Sequence, residues 1–239
     1  MTRRAWRCGE VSPFPDLRRR SDELEHLDGG SLSPAAIAEN LRDLARLNRL
    51  PGGRGASVEA VSALLPDARG TVVDVGTGAA DIPRALVRRH PTVVVTAVDR
   101  DPAIAALAAR WSRSMPGVRV EQGDGLALEV DDGTFDVAHA SLLVHHLEPP
   151  EVVMLLRELH RVSRRGIVVN DLRRGWLPYA ATVVSVRAFG RSPVTHHDGP
   201  ISARRAYSLG ELDDLAADAG LRPVRRSAAV MPRVVTVYR

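Results

Sequence analysis

The chain has 239 residues, of which 44% are hydrophobic, which suits one α/β domain with an appendage, and no apolar run is long enough to span a bilayer. All 33 basic residues are arginine, which excludes a P-loop lysine, a Schiff-base lysine and a Tyr-x-x-x-Lys dehydrogenase pair. The formal net charge is only +4, the arginines alternate with acids, and aromatic residues make up 4%, so the basic, stacking surface typical of nucleic-acid binding is not expected.

The amino-terminal part predicts an arm followed by helices. Residues 1–31 are rich in Arg, Pro and Gly and show little periodicity, so we expect a loose arm there. A helix is predicted within 31–50, because Ser33 suits the N-cap, Pro34 suits the first helical position, and apolar residues recur at helical spacing. A second helix is predicted from about 57 to 65.

Strands and helices alternate in the rest of the chain. Strands are predicted at 71–75, 92–99, 118–124, 135–141 and 166–171, and helices at about 81–90, 101–113 and 149–163. The last stretch, "LRPVRRSAAVMPRVVTVYR", predicts two further strands joined by a tight Met-Pro turn. This pattern indicates an α/β fold, a doubly wound, Rossmann-like, mostly parallel seven-stranded sheet with a terminal antiparallel hairpin. Residues 67–239 would form this core, and residues 1–66 would form the arm and an N-terminal helical cap.

Acids follow three successive predicted strands. Asp74, Asp99 and Asp124 each stand at a strand end, where ligands bind in open α/β sheets. Gly76 and Gly78 permit a tight turn and a close approach of the backbone to a ligand. Asp99 suits the ribose-diol position of a mononucleotide-binding half, and Asp124 suits the amino group of an adenine, although a single acid of this kind is also an ordinary turn residue.

The main alternative for the glycine turn is a dinucleotide. Its fingerprint G-x-G-x-x-G places pyrophosphate at a helix N-terminus, but Asp81 occupies the third glycine position here. An acid there repels pyrophosphate, although it can also serve simply as a helix cap. The acids favour a ligand with an amino group and a sulfonium in place of phosphates.

Four stretches of the core resemble the consecutive motifs of class I S-adenosylmethionine-dependent methyltransferases. They are "VVDVGTGAADIP", "VTAVDRDP", "VEQGDGLAL" and "FDVAHASLLVHHLEPPEVVMLLRELHRVSRRGIVVND", within about residues 69–172. The chain is similar to small-molecule members such as the ubiquinone/menaquinone C-methyltransferases. The later stretch "NDLRRGWLPYA…HHDGPISARRAYSLGEL" resembles, less specifically, bacterial members associated with polyketide synthases.

This resemblance implies S-adenosylmethionine as the cofactor and assigns residues to it. Gly76 and Gly78, with Asp74, would hold the methionine portion, Asp99 would bind both ribose hydroxyls, and Asp124 would face the adenine amino group beside Gly125. Ser141 and Leu142 would lie near the sulfonium. The set also includes Thr77 and Arg100. The sequence departs from the family pattern at Ala80, where many relatives carry a third glycine, and we expect this change to be tolerated.

Histidines are the candidates for a general base. His145 and His146 follow the fourth strand, close to the expected methyl group, where a histidine suits proton abstraction from a phenol or enol. Either can instead simply bond the backbone. His197 stands between His196 and Asp198 in a predicted loop, and an adjacent carboxylate can orient an imidazole. A metal at this loop would need a further ligand from elsewhere, so no metal site is predicted.

A substrate lid is predicted at about 173–208, between the fifth strand and the final hairpin. Trp176 and Tyr179 would supply an apolar wall, or belong to an ordinary core helix, and His196 would contact the substrate. Arg49 would meet a carboxylate of the cofactor or substrate, or a surface acid.

We expect O-methylation of a small, largely apolar metabolite, aromatic or polyketide-like, in natural product biosynthesis. The alternative is C-methylation of a quinone-like or other carbon acceptor. A nucleic-acid methyltransferase is less favoured, because the Asn/Asp-Pro-Pro-aromatic stretch that grips a flipped base is replaced here by "ASLLVHH". A non-catalytic protein that binds the cofactor is the remaining class.

The sequence also bears on compartment and partners. The start, "MTRRAWRC", is basic but is followed by no apolar segment, so no secretory signal is expected. Cys8 is the only cysteine, which excludes an internal disulfide and a cysteine-based zinc cluster. We expect a cytoplasmic monomer or homodimer that acts on a small molecule, with no nucleic-acid partner and no membrane insertion.

Overall fold

Seven strands form one twisted sheet in the computed structural model, which describes residues 15–29, 32–227 and 232–239. The strands are β1 (Gly70–Val75), β2 (Val93–Asp99), β3 (Val118–Gln122), β4 (Phe135–Ser141), β5 (Ser163–Leu172), β6 (Pro223–Arg226) and β7 (Arg233–Tyr238). Their order is β3-β2-β1-β4-β5-β7-β6, with β7 antiparallel to both of its neighbours and the others parallel. The predicted fold class is confirmed.

Eight α-helices accompany the sheet in the described part of the chain. They are α1 (Pro34–Leu47), α2 (Arg54–Ser62), α3 (Asp81–Arg89), α4 (Pro102–Ser112), α5 (Pro149–Val162), α6 (Trp176–Phe189), α7 (Pro193–Arg205) and α8 (Leu209–Asp218). No helix among the described residues is long and apolar enough to cross a membrane.

Two hydrophobic layers explain why the strand interiors are continuously apolar. On one face, Leu155 and Leu159 of α5 pack with Leu212 of α8 against the central strands. On the other face, Val61 of α2 and Leu86 of α3 fill the second core. Because β1 and β4 have helices on both faces, alternating polar positions would bury unpaired groups, and valine and alanine predominate there.

The cap helices follow the predicted start signals only in part. The Ser33 side chain accepts a hydrogen bond from the Ala36 N–H at 3.2 Å, as expected of the N-cap of α1. Helix α2 begins at Arg54, three residues before the predicted start. Gly53 precedes it, and a Cβ at Gly53 would lie 2.4 Å from the carbonyl oxygen of Asn48.

The prediction of a loose arm is wrong for residues 15–29. The Arg20 guanidinium bonds the Glu148 carboxylate and the backbone carbonyls of His145, Leu147 and Arg205, all at 2.8–3.0 Å. Polar pairs of this kind leave no apolar periodicity, which is why the sequence pattern does not reveal them. The rest of the predicted arm, and Met231 of the predicted Met-Pro turn, lie outside the described residues.

The predicted loop around His196–Asp198 is wrong as well, since these residues belong to α7. Gly199 and Pro200, which suggested a loop, lie inside this helix. A Cβ at Gly199 would lie 2.6 Å from Cγ2 of Val186, so the glycine serves the close packing of α7 on α6. Pro193 opens the helix at a position where its missing N–H costs nothing.

Candidate active site at the carboxyl edge of the sheet

The predicted acids and glycines meet at one edge of the sheet. In the parallel register Val75 stands opposite both Val98 and Ala140, so the segments that follow β1, β2 and β4 leave the sheet side by side. The strand order reverses between β1 and β4, which is where ligands of doubly wound folds bind.

The loop between β1 and α3 is built on left-handed residues. Gly76 has φ = +65° and Gly78 has φ = +52°, conformations that glycine adopts without cost. Ala80, at the position where the resemblance predicts a third glycine, has φ = +50° just before α3. Alanine therefore occupies a conformation that costs an L-residue about 1 kcal/mol, consistent with tolerance of the change.

Asp99 ties this loop to the end of β2. One carboxylate oxygen accepts a hydrogen bond from the Gly78 N–H at 2.9 Å, and the other accepts one from the Asp101 N–H at 3.2 Å. Burial raises the pKa of Asp99 despite these bonds. Each oxygen keeps a further lone pair, so the group can accept hydrogen bonds from two ligand hydroxyls.

Asp124 and Gly125 shape the turn after β3. Asp124 is exposed, and its carboxylate accepts a hydrogen bond from the Leu126 N–H at 2.9 Å. A Cβ at Gly125 would lie 2.1 Å from Cγ1 of Val75, so only glycine fits. Arg100 is exposed beside the edge. The contacts predicted for these three residues with the cofactor remain predictions.

A buried polar network lies beneath the glycine loop, and the sequence analysis missed it. Asp74 accepts a hydrogen bond from the Thr77 hydroxyl at 2.6 Å, and its other oxygen lies 2.5 Å from Nδ1 of His139. Nε2 of His139 lies 2.9 Å from the Ser57 hydroxyl, which also accepts from the Asn170 amide at 2.8 Å. The available signal was one histidine within the otherwise apolar strand "FDVAHAS".

His145 pairs with an aspartate that the sequence analysis did not single out. Its Nδ1 lies 2.6 Å from Oδ1 of Asp171, at the end of β5, and both side chains are buried. The N–H groups of Val144 and Leu172 also donate to that carboxylate. Burial alone would raise the pKa of Asp171, but the His145 charge and these hydrogen bonds hold it below its ordinary value.

The amino-terminal arm brings a further acid to this histidine. Oε1 of Glu25 lies 3.7 Å from Nε2 of His145 and accepts a hydrogen bond from the Ser202 hydroxyl at 2.9 Å. Burial raises the pKa of Glu25 to about 7. No sequence pattern pointed to Glu25, because it lies in the segment predicted to be loose.

The His145–Asp171 pair is called the dyad below. A cavity of about 100 Å³ opens beside it, lined by residues of α1, α6 and α7. Most of its wall is apolar, and His145, His146, Glu25 and Arg233 are its ionisable members together with Asp198. The apolar part of the wall is formed by Leu27, Leu44, Leu47, Leu50, Pro51, Leu142, Leu172, Val186 and Pro232. Asn40, Thr182, Ser185, Thr195 and Ser202 line the cavity as well, so it suits a small ligand with an apolar body and a few polar groups.

The other predicted base residues make contacts away from the cavity centre. Nδ1 of His146 lies 3.1 Å from a carboxylate oxygen of Asp28. His197 hydrogen-bonds Asp198 at 2.8 Å, and its ring stacks on that of His26 with centroids 3.7 Å apart. His197 is not among the residues that line the cavity.

Two groups in the described segments have ligand types and spacings that suit a metal ion. Glu25, His145 and His146 form one, and His26, His197 and Asp198 form the other. In the second group, His26 of the arm is the further ligand that a metal at His197 and Asp198 would need.

None of the four residues predicted to bind substrate lines this cavity. Trp176, His196 and Arg49 are exposed, and Tyr179 is buried in α6 without lining the cavity. Leu142, predicted near the reacting methyl group, does line it, with φ = +53°. This conformation is unusual for leucine, and such strain is concentrated at functional sites.

The comparison with protein families decides the class of the core. Residues 72–166 match the family described as a methyltransferase domain. This segment is a methyltransferase domain. With the fold, the match confirms the expected class I S-adenosylmethionine-dependent methyltransferase and its cofactor. No curated protein sequence matches the chain.

Solved structures share the fold of this methyltransferase. A SAM-dependent methyltransferase from Aquifex aeolicus superimposes with a TM-score of 0.63 at 22% identity, over 87% of this chain and 98% of that one. The mitomycin 7-O-methyltransferase MmcR gives 0.59 at 20% identity, over 77% and 53%. Human N-acetylserotonin methyltransferase, solved with SAM, gives 0.60 at 14% identity, over 85% and 56%. The chain spans about half the length of the last two.

The edge residues of this methyltransferase fit S-adenosylmethionine. The glycine loop places no side chain at Gly76 or Gly78, and the carboxylate of Asp99 offers acceptors for hydroxyl groups. The Ser141 hydroxyl is buried at the end of β4 and has no hydrogen-bond partner among the described residues, so a ligand group can bond it. The edge thus offers hydrogen-bond acceptors and glycines, which suit a cationic cofactor better than a pyrophosphate.

Proposed function

We propose that this methyltransferase transfers a methyl group to an oxygen of a small, largely apolar metabolite bound in the cavity beside His145. The observation that carries the proposal is the buried His145–Asp171 dyad in the wall of an apolar pocket. A phenol or enol is the acceptor that profits most from a neighbouring histidine.

In this proposal the cofactor lies along the edge formed by β1, β2 and β4. The loop 76–78 holds its methionine portion, Asp99 accepts hydrogen bonds from the two ribose hydroxyls, and Asp124 faces the adenine. Asp74 supports the loop as well, because its two oxygens bond Thr77 and His139, which fixes the loop to the sheet. Ser141 stands near the donor methyl group.

His145 removes the acceptor proton. In the neutral form of His145 that a general base requires, a proton on Nδ1 donates to the Asp171 carboxylate and leaves the Nε2 lone pair for the acceptor hydroxyl. S-adenosylmethionine would supply a methyl group on its sulfonium, and in-line displacement by the acceptor oxygen would break the sulfur–methyl bond and leave the thioether S-adenosylhomocysteine. As the oxygen–carbon bond forms, the hydroxyl proton passes to Nε2, and Asp171 stabilises the resulting imidazolium. The apolar wall keeps water from the reacting atoms.

The supporting relatives include two named for small acceptors. MmcR is a mitomycin 7-O-methyltransferase, and human N-acetylserotonin methyltransferase acts on the compound in its name. From these names we take only the class of acceptor for this protein, which is a small aromatic or polyketide-like molecule of secondary metabolism. Helices α1, α6 and α7 serve as the cap and lid in this proposal.

The test is a turnover assay against phenols, enols and quinols. S-adenosylhomocysteine formation and the mass of the product are followed, and NMR locates the new methyl group. The proposal expects an O-methyl ether and its loss in His145→Gln. A new carbon–methyl bond would favour the C-methylation alternative, and cofactor binding without turnover of any acceptor would favour a non-catalytic role.

A further inference from the structure

Arg233 is a buried cation in the cavity wall with no assigned role. It begins β7 opposite Leu172 of β5, is 7% exposed, and lines the cavity together with His145. Its Nη1 atom is buried and donates no hydrogen bond within the described residues. In that same part of the chain no carboxylate lies within 4.0 Å of its guanidinium.

The two acids whose charges act on Arg233 are Asp171 and Asp81, and both already accept hydrogen bonds from other groups. Asp171 accepts from His145 and from two backbone N–H groups, and Asp81 accepts from the Asn48 amide at 3.0 Å. Burial lowers the pKa of Arg233 to about 10, so the group stays charged at neutral pH. A buried charge is costly when nothing pairs with it, and since no partner lies among the described residues, Arg233 favours a ligand that pairs with it.

The rest of the cavity defines the other features of that ligand. Leucines and Val186 supply much of the apolar part of the wall, and His145 lines the same cavity. Its two acids are engaged, since Glu25 accepts from the Ser202 hydroxyl and Asp198 accepts from the N–H groups of His26 and Leu27. Neither the glycine loop nor Asp99 belongs to the lining found in the described residues. A ligand here is therefore apolar, carries an anionic group toward Arg233 and presents its reacting group to His145.

We propose that Arg233 binds a carboxylate of the acceptor, so that the substrates are small hydroxylated aromatic or polyketide-like carboxylic acids. This rests on the proposed function, whose acceptor it narrows. Guanidinium and carboxylate pair through two parallel hydrogen bonds, which orients the acceptor as well as attracting it. The second source of a carboxylate is the methionine end of the cofactor, and the experiment separates the two.

The experiment uses hydroxybenzoic and hydroxynaphthoic acids, each with its methyl ester. Wild type, Arg233→Met and Arg233→Lys are compared in turnover, and S-adenosylhomocysteine affinity is measured by calorimetry. The proposal expects Arg233→Met to raise KM for the acids about 10- to 100-fold, with little change for the esters, and Arg233→Lys to restore part of the loss. Cofactor affinity should stay within about twofold, since the lost group is a charged hydrogen bond to the acceptor.

Three results would overturn the inference. Weaker S-adenosylhomocysteine binding in Arg233→Met would assign the residue to the cofactor carboxylate. An equal loss for acids and esters would show a merely structural role. The third result comes from calorimetry with 2-naphthoic acid. This acid has no hydroxyl to methylate, so its binding reports on Arg233 even if no acceptor turns over. Binding in wild type and its loss in Arg233→Met support the inference independently of catalysis, whereas equal affinities or no binding refute it.

Discussion

Nδ1 of His139 lies 2.5 Å from Oδ1 of Asp74, where β4 and β1 run side by side in register. The pair is buried, and Thr77 holds the other Asp74 oxygen. Asp74, which precedes the glycine loop, therefore connects β1 to β4 and to the loop through hydrogen bonds. The cofactor contact predicted for Asp74 remains a prediction, and its geometry also makes it part of the scaffold that fixes the loop.

Replacement of His139 should destabilise the protein. His139→Ala removes both ring contacts and leaves an Asp74 oxygen unpaired in an apolar interior, so the free energy of unfolding should fall by about 2–4 kcal/mol. Urea denaturation measures it. Ser57→Ala, which removes a neutral partner of the same ring, is the matched control and should cost about 1 kcal/mol. Equal stability of His139→Ala and wild type would show that the network contributes nothing.

Glu25 should make stability depend on pH. Burial raises its pKa from 4.5 to about 7, so the folded state holds the proton over a range in which the unfolded chain has lost it. The stabilisation by protonated Glu25 is complete below pH 4.5 and is lost as the pH rises to about 7, in total on the order of 3 kcal/mol. Glu25→Gln should lack this fall. Parallel stability curves for the two proteins between pH 4.5 and 7.5 would contradict the assignment.

The His145–Asp171 dyad should act on turnover more than on cofactor binding. His145→Gln should lower kcat about 100-fold or more, because the acceptor loses its base. Asp171→Asn should also lower kcat, because the ring loses the carboxylate that orients it and stabilises the imidazolium formed on proton transfer. S-adenosylhomocysteine affinity should change by less than about threefold in both, since one neutral hydrogen bond at most is affected. An unaltered kcat in His145→Gln would exclude it as the base.

The arm should detach when its arginine contacts are removed. Arg20 and Arg205 both donate to the carbonyl of His145, from the arm and from α7. Arg20→Ala should expose residues 15–29 to trypsin, with cleavage at Arg18 or Arg19 at least about tenfold faster if docking is weakened by about 1.4 kcal/mol or more. Arg187→Ala is the control, because this exposed arginine of α6 makes none of these contacts and its loss removes no cleavage site in the arm. Equal cleavage of wild type and Arg20→Ala would show that the arm docks by other means.

The strand and helix pattern of the core was predictable because it rests on local periodicity. Valine runs gave β1 and β2, and Asp101 before Pro102 marked the start of α4. The candidate site was predictable where motif and strand end coincide, as at Asp99. Glu25 and Asp171 were not, because burial and long-range pairing give them their roles. The arm and α7 show the same limit, since their contacts join residues more than 120 positions apart.

The acid at the end of β2 should govern cofactor affinity. Asp99→Asn keeps the size of the side chain but removes its charge and one acceptor, so S-adenosylhomocysteine should bind about 10- to 100-fold more weakly in calorimetry. Asp124→Asn, on the exposed turn after β3, should have a smaller effect. Unchanged affinity in Asp99→Asn would remove the ribose assignment.

The most direct test of the account is a crystal structure of the protein with S-adenosylhomocysteine bound. We predict the methionine portion against the loop 76–78 and both ribose hydroxyls within hydrogen-bond distance of the Asp99 carboxylate, with the sulfur directed toward Ser141. A ligand bound elsewhere, or one whose ribose contacts neither oxygen of Asp99, would contradict the central claim.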